Sequence, residues 1–205
     1  MLRETKKPGE SRMLHYTQKL SLAFAATTLL FGSLATGQTL GIKEDFTAVA
    51  IVNNNLGSGA GTVLLSVTRW STDEERNRLV DTLLKKGPDA LLDVLHDNRS
   101  TGTIRTPDSL GYDLRFAHQT ATADGGRRIV IATDRPIGFW EATRQPRTID
   151  YPFTVIQMEF GPEGKGKGTL SYFTKITARN NVIELENFAT SPVMLTEITA
   201  KPHDD

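Results

Sequence analysis

The chain has 205 residues, 38% hydrophobic and 23% charged, with 24 basic and 24 acidic side chains and no cysteine. This composition fits one ordinary globular domain, with or without a targeting segment, and excludes a disordered or low-complexity protein. Balanced charge supplies no overall field toward nucleic acid or an anionic membrane. The missing cysteine excludes disulfides, thiolate nucleophiles, cysteine-based zinc sites and a lipobox thioether anchor.

Leu20 to Leu34 (LSLAFAATTLLFGSL) is an uncharged apolar run preceded by Lys19 and, further back, Lys6, Lys7 and Arg12. Ala35-Thr36-Gly37 follows, with small residues where a signal peptidase reads. A membrane span needs about 20 apolar residues, so the run is short for a span and right for a signal-peptide core. The prediction is a signal peptide over residues 1–37, the competing reading being an uncleaved anchor. Met13 is an alternative start, and either start leaves the same mature chain from Gln38.

Residues 38–205 are then expected to form a single β-rich domain, with 19 basic and 22 acidic side chains and a net charge of −3. A chain of that size buries about 70% of the surface it exposes when unfolded, enough to fold without staples. Export without disulfides points to a bacterial protein, secreted or periplasmic. Asn98-Arg99-Ser100 matches a glycosylation sequon, a three-residue pattern that recurs by chance and is idle in bacteria.

Residues 46–52 (FTAVAIV) read as a buried strand, Asn53 to Gly61 as turn-rich, and Thr62 to Trp70 as a second strand of the same hairpin. Thr72 with Glu75 forms a capping box. Leu79, Val80, Leu83 and Leu84 repeat at helical spacing, Gly87 suits a cap, and Pro88 opens a second helix carrying Leu91, Leu92 and Leu95. A helical hairpin over about 72–97 follows.

Beyond residue 101 the pattern is β. Tyr112, Leu114 and Phe116 alternate with Asp113, Arg115 and Ala117, and Asp124-Gly125-Gly126 turns the chain into Arg128–Thr133. Phe153–Phe160, Thr169–Thr177, Val182–Phe188 and Val193–Thr199 are further strands, with Asn180-Asn181 as a tight turn. Such short connections make the strands antiparallel. The expected fold is α+β: mainly an antiparallel β meander closing into a barrel or sandwich, with a helical hairpin insertion near the start.

Few residues carry chemistry. Gly161 to Thr169 (GPEGKGKGT) resembles a phosphate-binding loop, but Gly168 stands where a metal-ligating hydroxyl is needed and a strand follows, so an exposed turn is expected. Gly57-Ser58-Gly59-Ala60-Gly61 fits no dinucleotide or nucleophile motif and reads as a turn. His96, His118 and His203 lack zinc spacing, and His203 falls in a tail expected to be mobile.

Strict alternation puts His118 on the face of Tyr112, Leu114 and Phe116, facing a cavity or hydrogen-bonded in the core. Glu184 and Glu186 alternate with Ile183 and Leu185 and read as the wet side of an edge or surface strand rather than as an acid–base pair. Asp134–Asp150 (DRPIGFWEATRQPRTID) is longer than most connections and combines Phe139 and Trp140 with Arg135, Arg144 and Arg147. Aromatic and arginine side chains anchor binding surfaces, but the favoured reading of the two rings is that they tuck beneath the loop and close the barrel.

At Arg69–Arg76 (RWSTDEER), Gly125–Ile137 (GGRRIVIATDRPI) and Asp150–Phe160 (DYPFTVIQMEF) the chain resembles exported bacterial proteins of unassigned function. The resemblance implies export and a bacterial origin, and carries no activity or catalytic residue.

The expected function is a non-enzymatic domain that binds a small molecule or an envelope component. Trp140, Phe139, Arg144, Arg147 and His118 are its candidate contacts, for an apolar or anionic ligand held within the curled sheet or a partner at an exposed patch. The alternative is an exported hydrolase using His118 with nearby carboxylates. No motif calls for a cofactor, metal or nucleic acid, and no transmembrane span is expected after cleavage of the signal.

Overall fold

A computed structural model describes residues 41–54, 57–137, 151–179, 182–187 and 191–204. The expected signal peptide, residues 1–37, lies outside them. Among the described residues, strands β1 (Glu44–Asn54) and β2 (Gly57–Val67) lead into helices α1 (Asp73–Lys86) and α2 (Pro88–Asp97). Strands β3 (Gly102–Arg105), β4 (Tyr112–Leu114), β5 (Phe116–Ala121), β6 (Arg127–Thr133) and β7 (Phe153–Phe160) follow. Then come β8 (Gly166–Arg179), β9 (Val182–Asn187) and β10 (Val193–Pro202). None of the described helices is long and apolar enough to cross a membrane.

All pairings are antiparallel, in the order β4-β3-β2-β1-β10-β8-β7-β6-β5, with β9 attached to β8. The two ends of that order, β4 and β5, are joined through the single residue Arg115. The sheet therefore curls round on itself into a nearly closed barrel. Hydrogen bonds on either side of the join support this, Thr101 N donating to Leu114 O (2.8 Å) beside β3 and Arg115 N to Ala132 O (3.0 Å) beside β6. The fold is mostly antiparallel β with two helices, as expected.

Three local expectations are corrected. The glycine-rich stretch from Gly57 to Gly61 is strand, not turn: it pairs residue for residue with Ala50–Asn54, giving its main-chain groups ladder partners that glycine's weak strand propensity does not suggest. The C-terminus is tied down rather than loose, because β10 runs to Pro202 and His203 N donates to Lys43 O at 2.9 Å. The alternation through residues 112–118 also breaks at Arg115, where one residue falls out of step. Leu114 and Ala117 both enter the barrel core, while Phe116 joins the cluster under the helices.

The barrel interior is filled. Phe46, Leu65, Ile104, Ile131, Met158 and Leu195 are fully buried within one apolar cluster, and side chains so enclosed leave no water-sized space beside them. One end is closed by Arg127, whose guanidinium makes two 2.8 Å bonds to the Glu44 carboxylate and donates to Gln119 Oε1 at 3.0 Å. It lies 5.0 Å from the Phe160 ring centre and 5.9 Å from that of Phe46. Among the described residues these side chains leave a ligand no water-sized space between them, which directs attention to the outer surface and the rims.

On the outside, Leu79 and Leu83 of α1 and Leu91 and Leu95 of α2 pack with Phe116, Ala132, Phe153, Val155 and Ile176. The capping box forms as expected: Glu75 N donates to Thr72 Oγ1 (3.2 Å) and Thr72 N to Glu75 Oε2 (2.9 Å). Gly87 (φ +85°) turns the chain between the helices, a conformation that suits glycine, and Pro88 opens α2.

Candidate functional site

Strand β8 outlasts the barrel. Its first part is flanked by β7 and β10, whereas Lys175 to Arg179 have left the β7 register and pair with β9. Strands β8 and β9 thus continue as a two-stranded ribbon, and among the described residues β9 pairs with β8 alone. Thr174 Oγ1 donates to Asn187 Oδ1 (2.9 Å) at the root of the ribbon.

Register assigns the ribbon's two faces. Leu185 lies opposite Ile176, which is packed against the helices, and Ile183 lies opposite Ala178. Leu185 nevertheless keeps 37% and Ile183 46% of its surface in solvent. On the other face Glu186 stands opposite Lys175 and Glu184 opposite Thr177, and both glutamates are exposed. Tyr151 Oη donates to Glu186 Oε1 at 2.8 Å, bringing the chain that leads into β7 up to the ribbon. The wet-side reading of Glu184 and Glu186 agrees with their exposure.

Of the residues singled out in the sequence, Trp140, Phe139, Arg144 and Arg147 lie outside the described residues. His118 does not share a face with Leu114. The step at Arg115 turns it outward beside Phe116, whose ring it stacks on (centres 6.1 Å apart, 4° between planes). Its Nε2 lies 2.8 Å from Oδ1 of Asp73, the first residue of α1. Largely buried, His118 pins the start of the helical pair to the barrel wall. Ser71, the serine closest in sequence to Asp73, takes a hydrogen bond from Ala117 N through its hydroxyl (3.2 Å) and donates its own amide to Ala117 O (2.7 Å).

Two further polar clusters were not foreseen. The Asp134 carboxylate, with 1% of its side chain exposed, meets His96 Nδ1 at 2.7 Å and Arg135 Nε at 3.4 Å. Arg115 Nε is 3.3 Å from the same carboxylate but is not aligned as a donor. Arg115 Nη1 donates to Asn98 O (3.2 Å), and Arg78 bonds the Asn98 side chain, so this cluster fastens the end of α2 to the kinked strand.

On the barrel's other flank, Asp45 Oδ1 receives Ser66 Oγ (2.6 Å) and lies 2.7 Å from His203 Nδ1. Burial raises the Asp45 carboxyl, but the Ser66 and His203 hydrogen bonds outweigh it and hold it below its ordinary value. Serine, aspartate and histidine are present there in the wrong order for nucleophilic catalysis, because the hydroxyl is bonded to the carboxylate and not to the imidazole. Among the described residues no cluster of three or more His, Asp or Glu has metal-holding geometry. Comparison with protein-family models, with curated proteins and with solved structures found no match for this chain.

Proposed function

We propose that the protein is an exported bacterial domain, secreted or periplasmic, that binds an envelope partner through its outer surface and has no catalytic role. The observation that carries this reading is the β8–β9 ribbon, which leaves Ile183 and Leu185 half in solvent outside a barrel whose interior is already filled. Contiguous apolar surface, rather than single exposed side chains, marks an interaction site, and Ile183 and Leu185 lie together on one face of the ribbon. The helical pair, inserted after the second strand, braces the base of the ribbon through Ile176.

The test is expression of the full chain in a bacterial host with a photo-crosslinking residue at position 183 or, as a control, at fully exposed Leu110. The reading expects exported material beginning at Gln38 and adducts of discrete mass from position 183 alone. Retention in the cytoplasm refutes export, and identical adduct patterns from both positions refute the binding surface.

The hydrolase reading keeps one observation in its favour, the 2.8 Å contact between His118 and Asp73. A histidine oriented by a carboxylate can act as a general base when a hydroxyl or water faces its other nitrogen. A hydrolase-substrate screen with His118→Ala beside the parent separates the two. Turnover that disappears in the variant, with the fold retained, replaces the binding reading with the hydrolase.

A further inference from the structure

Resting on the reading of the ribbon as the binding surface, we infer that β9 accepts an extended segment of a partner protein as an added antiparallel strand. The segment it fits alternates apolar with basic residues. An exposed strand edge is a template for main-chain hydrogen bonding, and side-chain alternation then sets which strand fits. Among the described residues β9 has β8 on one side only, and it contains no proline, no lysine and no register shift that would blunt the other edge.

The face chemistry selects the partner. Ile183 and Leu185 offer apolar contact on one face, while Glu184 and Glu186 place negative charge on the other. Lys175 stands opposite Glu186, and Tyr151 donates to that same carboxylate, whereas Glu184 faces only the neutral Thr177 across the ladder. A lysine or arginine opposite Glu184 on an added strand supplies the missing opposite charge.

A second copy of this chain fits badly. Antiparallel pairing of β9 with itself about a two-fold axis puts opposed residues on the same face, so only registers of matching parity are allowed. Centred on residue 184 or 186, the pairing sets a glutamate against its own copy. Centred on residue 185, it sets Glu184 against Glu186 twice, and the registers centred on 183 or 187 avoid opposed glutamates only by pairing three residues or fewer of each β9. Like charges directly opposed across strands are destabilising, so the acidic face works against self-pairing and for a basic strand.

The experiment uses the full chain and three labelled, end-capped synthetic peptides read by fluorescence anisotropy: alternating lysine–valine, alternating glutamate–valine, and alternating lysine–serine. The lysine–valine peptide is expected to bind about tenfold more tightly than either of the others, the effect of two charge pairs in the comparison with glutamate–valine and of two apolar pairs in the comparison with lysine–serine. Glu184→Lys is expected to erase or reverse the preference for lysine over glutamate. A merely structural role for that exposed side chain would not change the preference.

Equal binding of all three peptides, or a preference unaltered in Glu184→Lys, overturns the inference. So does a parent protein that sediments as a dimer with β9 amides protected from exchange. Crosslinks at position 183 without any peptide binding leave the outer-surface reading standing and defeat the added strand. Loss of both defeats both.

Discussion

The filled barrel and the exposed ribbon make opposite demands on two similar substitutions, Leu65→Ala and Ile183→Ala. Leu65 is fully buried in β2, paired with Phe46 on one side and Ile104 on the other. Truncation to alanine removes three carbon groups, each about 0.8 kcal/mol of transfer energy. Neighbours held in a closed barrel cannot collapse fully onto the gap, so a cavity cost is added and the expected loss is about 2.5–5 kcal/mol. For a domain of this size that is a fall in Tm of roughly 6–15 °C.

Ile183, with 46% of its surface in solvent, should cost about 1 kcal/mol or less in stability while lowering partner capture at the ribbon. Urea unfolding followed through the buried Trp70 measures both variants. A Leu65→Ala loss below about 1 kcal/mol would mean the interior is loosely packed and able to receive a ligand, and the outer-surface argument would fall. An Ile183→Ala loss above about 2 kcal/mol would mean that the ribbon is core rather than contact surface.

Thr72→Ala removes one half of the capping box and is expected to cost about 1 kcal/mol by chemical denaturation, with the crosslinking behaviour of position 183 unchanged. Gly102→Ala is expected to cost about 3 kcal/mol or more, read as lost soluble yield and a lowered urea midpoint. Its φ is +150°, and a Cβ there collides with the Ser66 carbonyl oxygen. Burial raises the Glu75 carboxyl, but the Arg69 hydrogen bonds and the Thr72 amide outweigh it, so its folded value lies below the ordinary 4.5. The stabilisation it supplies is therefore complete above 4.5 and lost as pH falls through the lower folded value, so the stability gap between the parent and Glu75→Gln should be full at pH 7 and close in acid.

Legibility in the sequence followed the range of the physics. Helix ends are written locally: Thr72, Glu75, Gly87 and Pro88 act on atoms within one turn, and they cap or open α1 and α2. Strand membership decided by a distant partner is not written locally. Gly57 to Gly61 contain nothing that favours a strand, and become one because β1 supplies an eleven-residue ladder beside them. The tie between His203 and Asp45 spans nearly the whole domain and leaves no mark on the tail's own composition.

Arg115 shows why the site was harder to read than the fold. Residues 112–118 alternate well enough to announce a strand, and that much is right. Closing a barrel, however, obliges the strand that serves both ends of the sheet to bend, and a single residue out of step exchanges the faces of everything after it. Leu114 points into the barrel, and two positions later Phe116 points away from it. His118 is carried with Phe116 to the outside, where it holds Asp73 and the start of α1 instead of lining a cavity. The same closure fills the interior with apolar side chains and leaves the far half of β8 without a place in the barrel wall. The ribbon is what remains of that strand, and among the described residues its alternation of Ile183, Glu184, Leu185 and Glu186 lies on a strand paired on one side only.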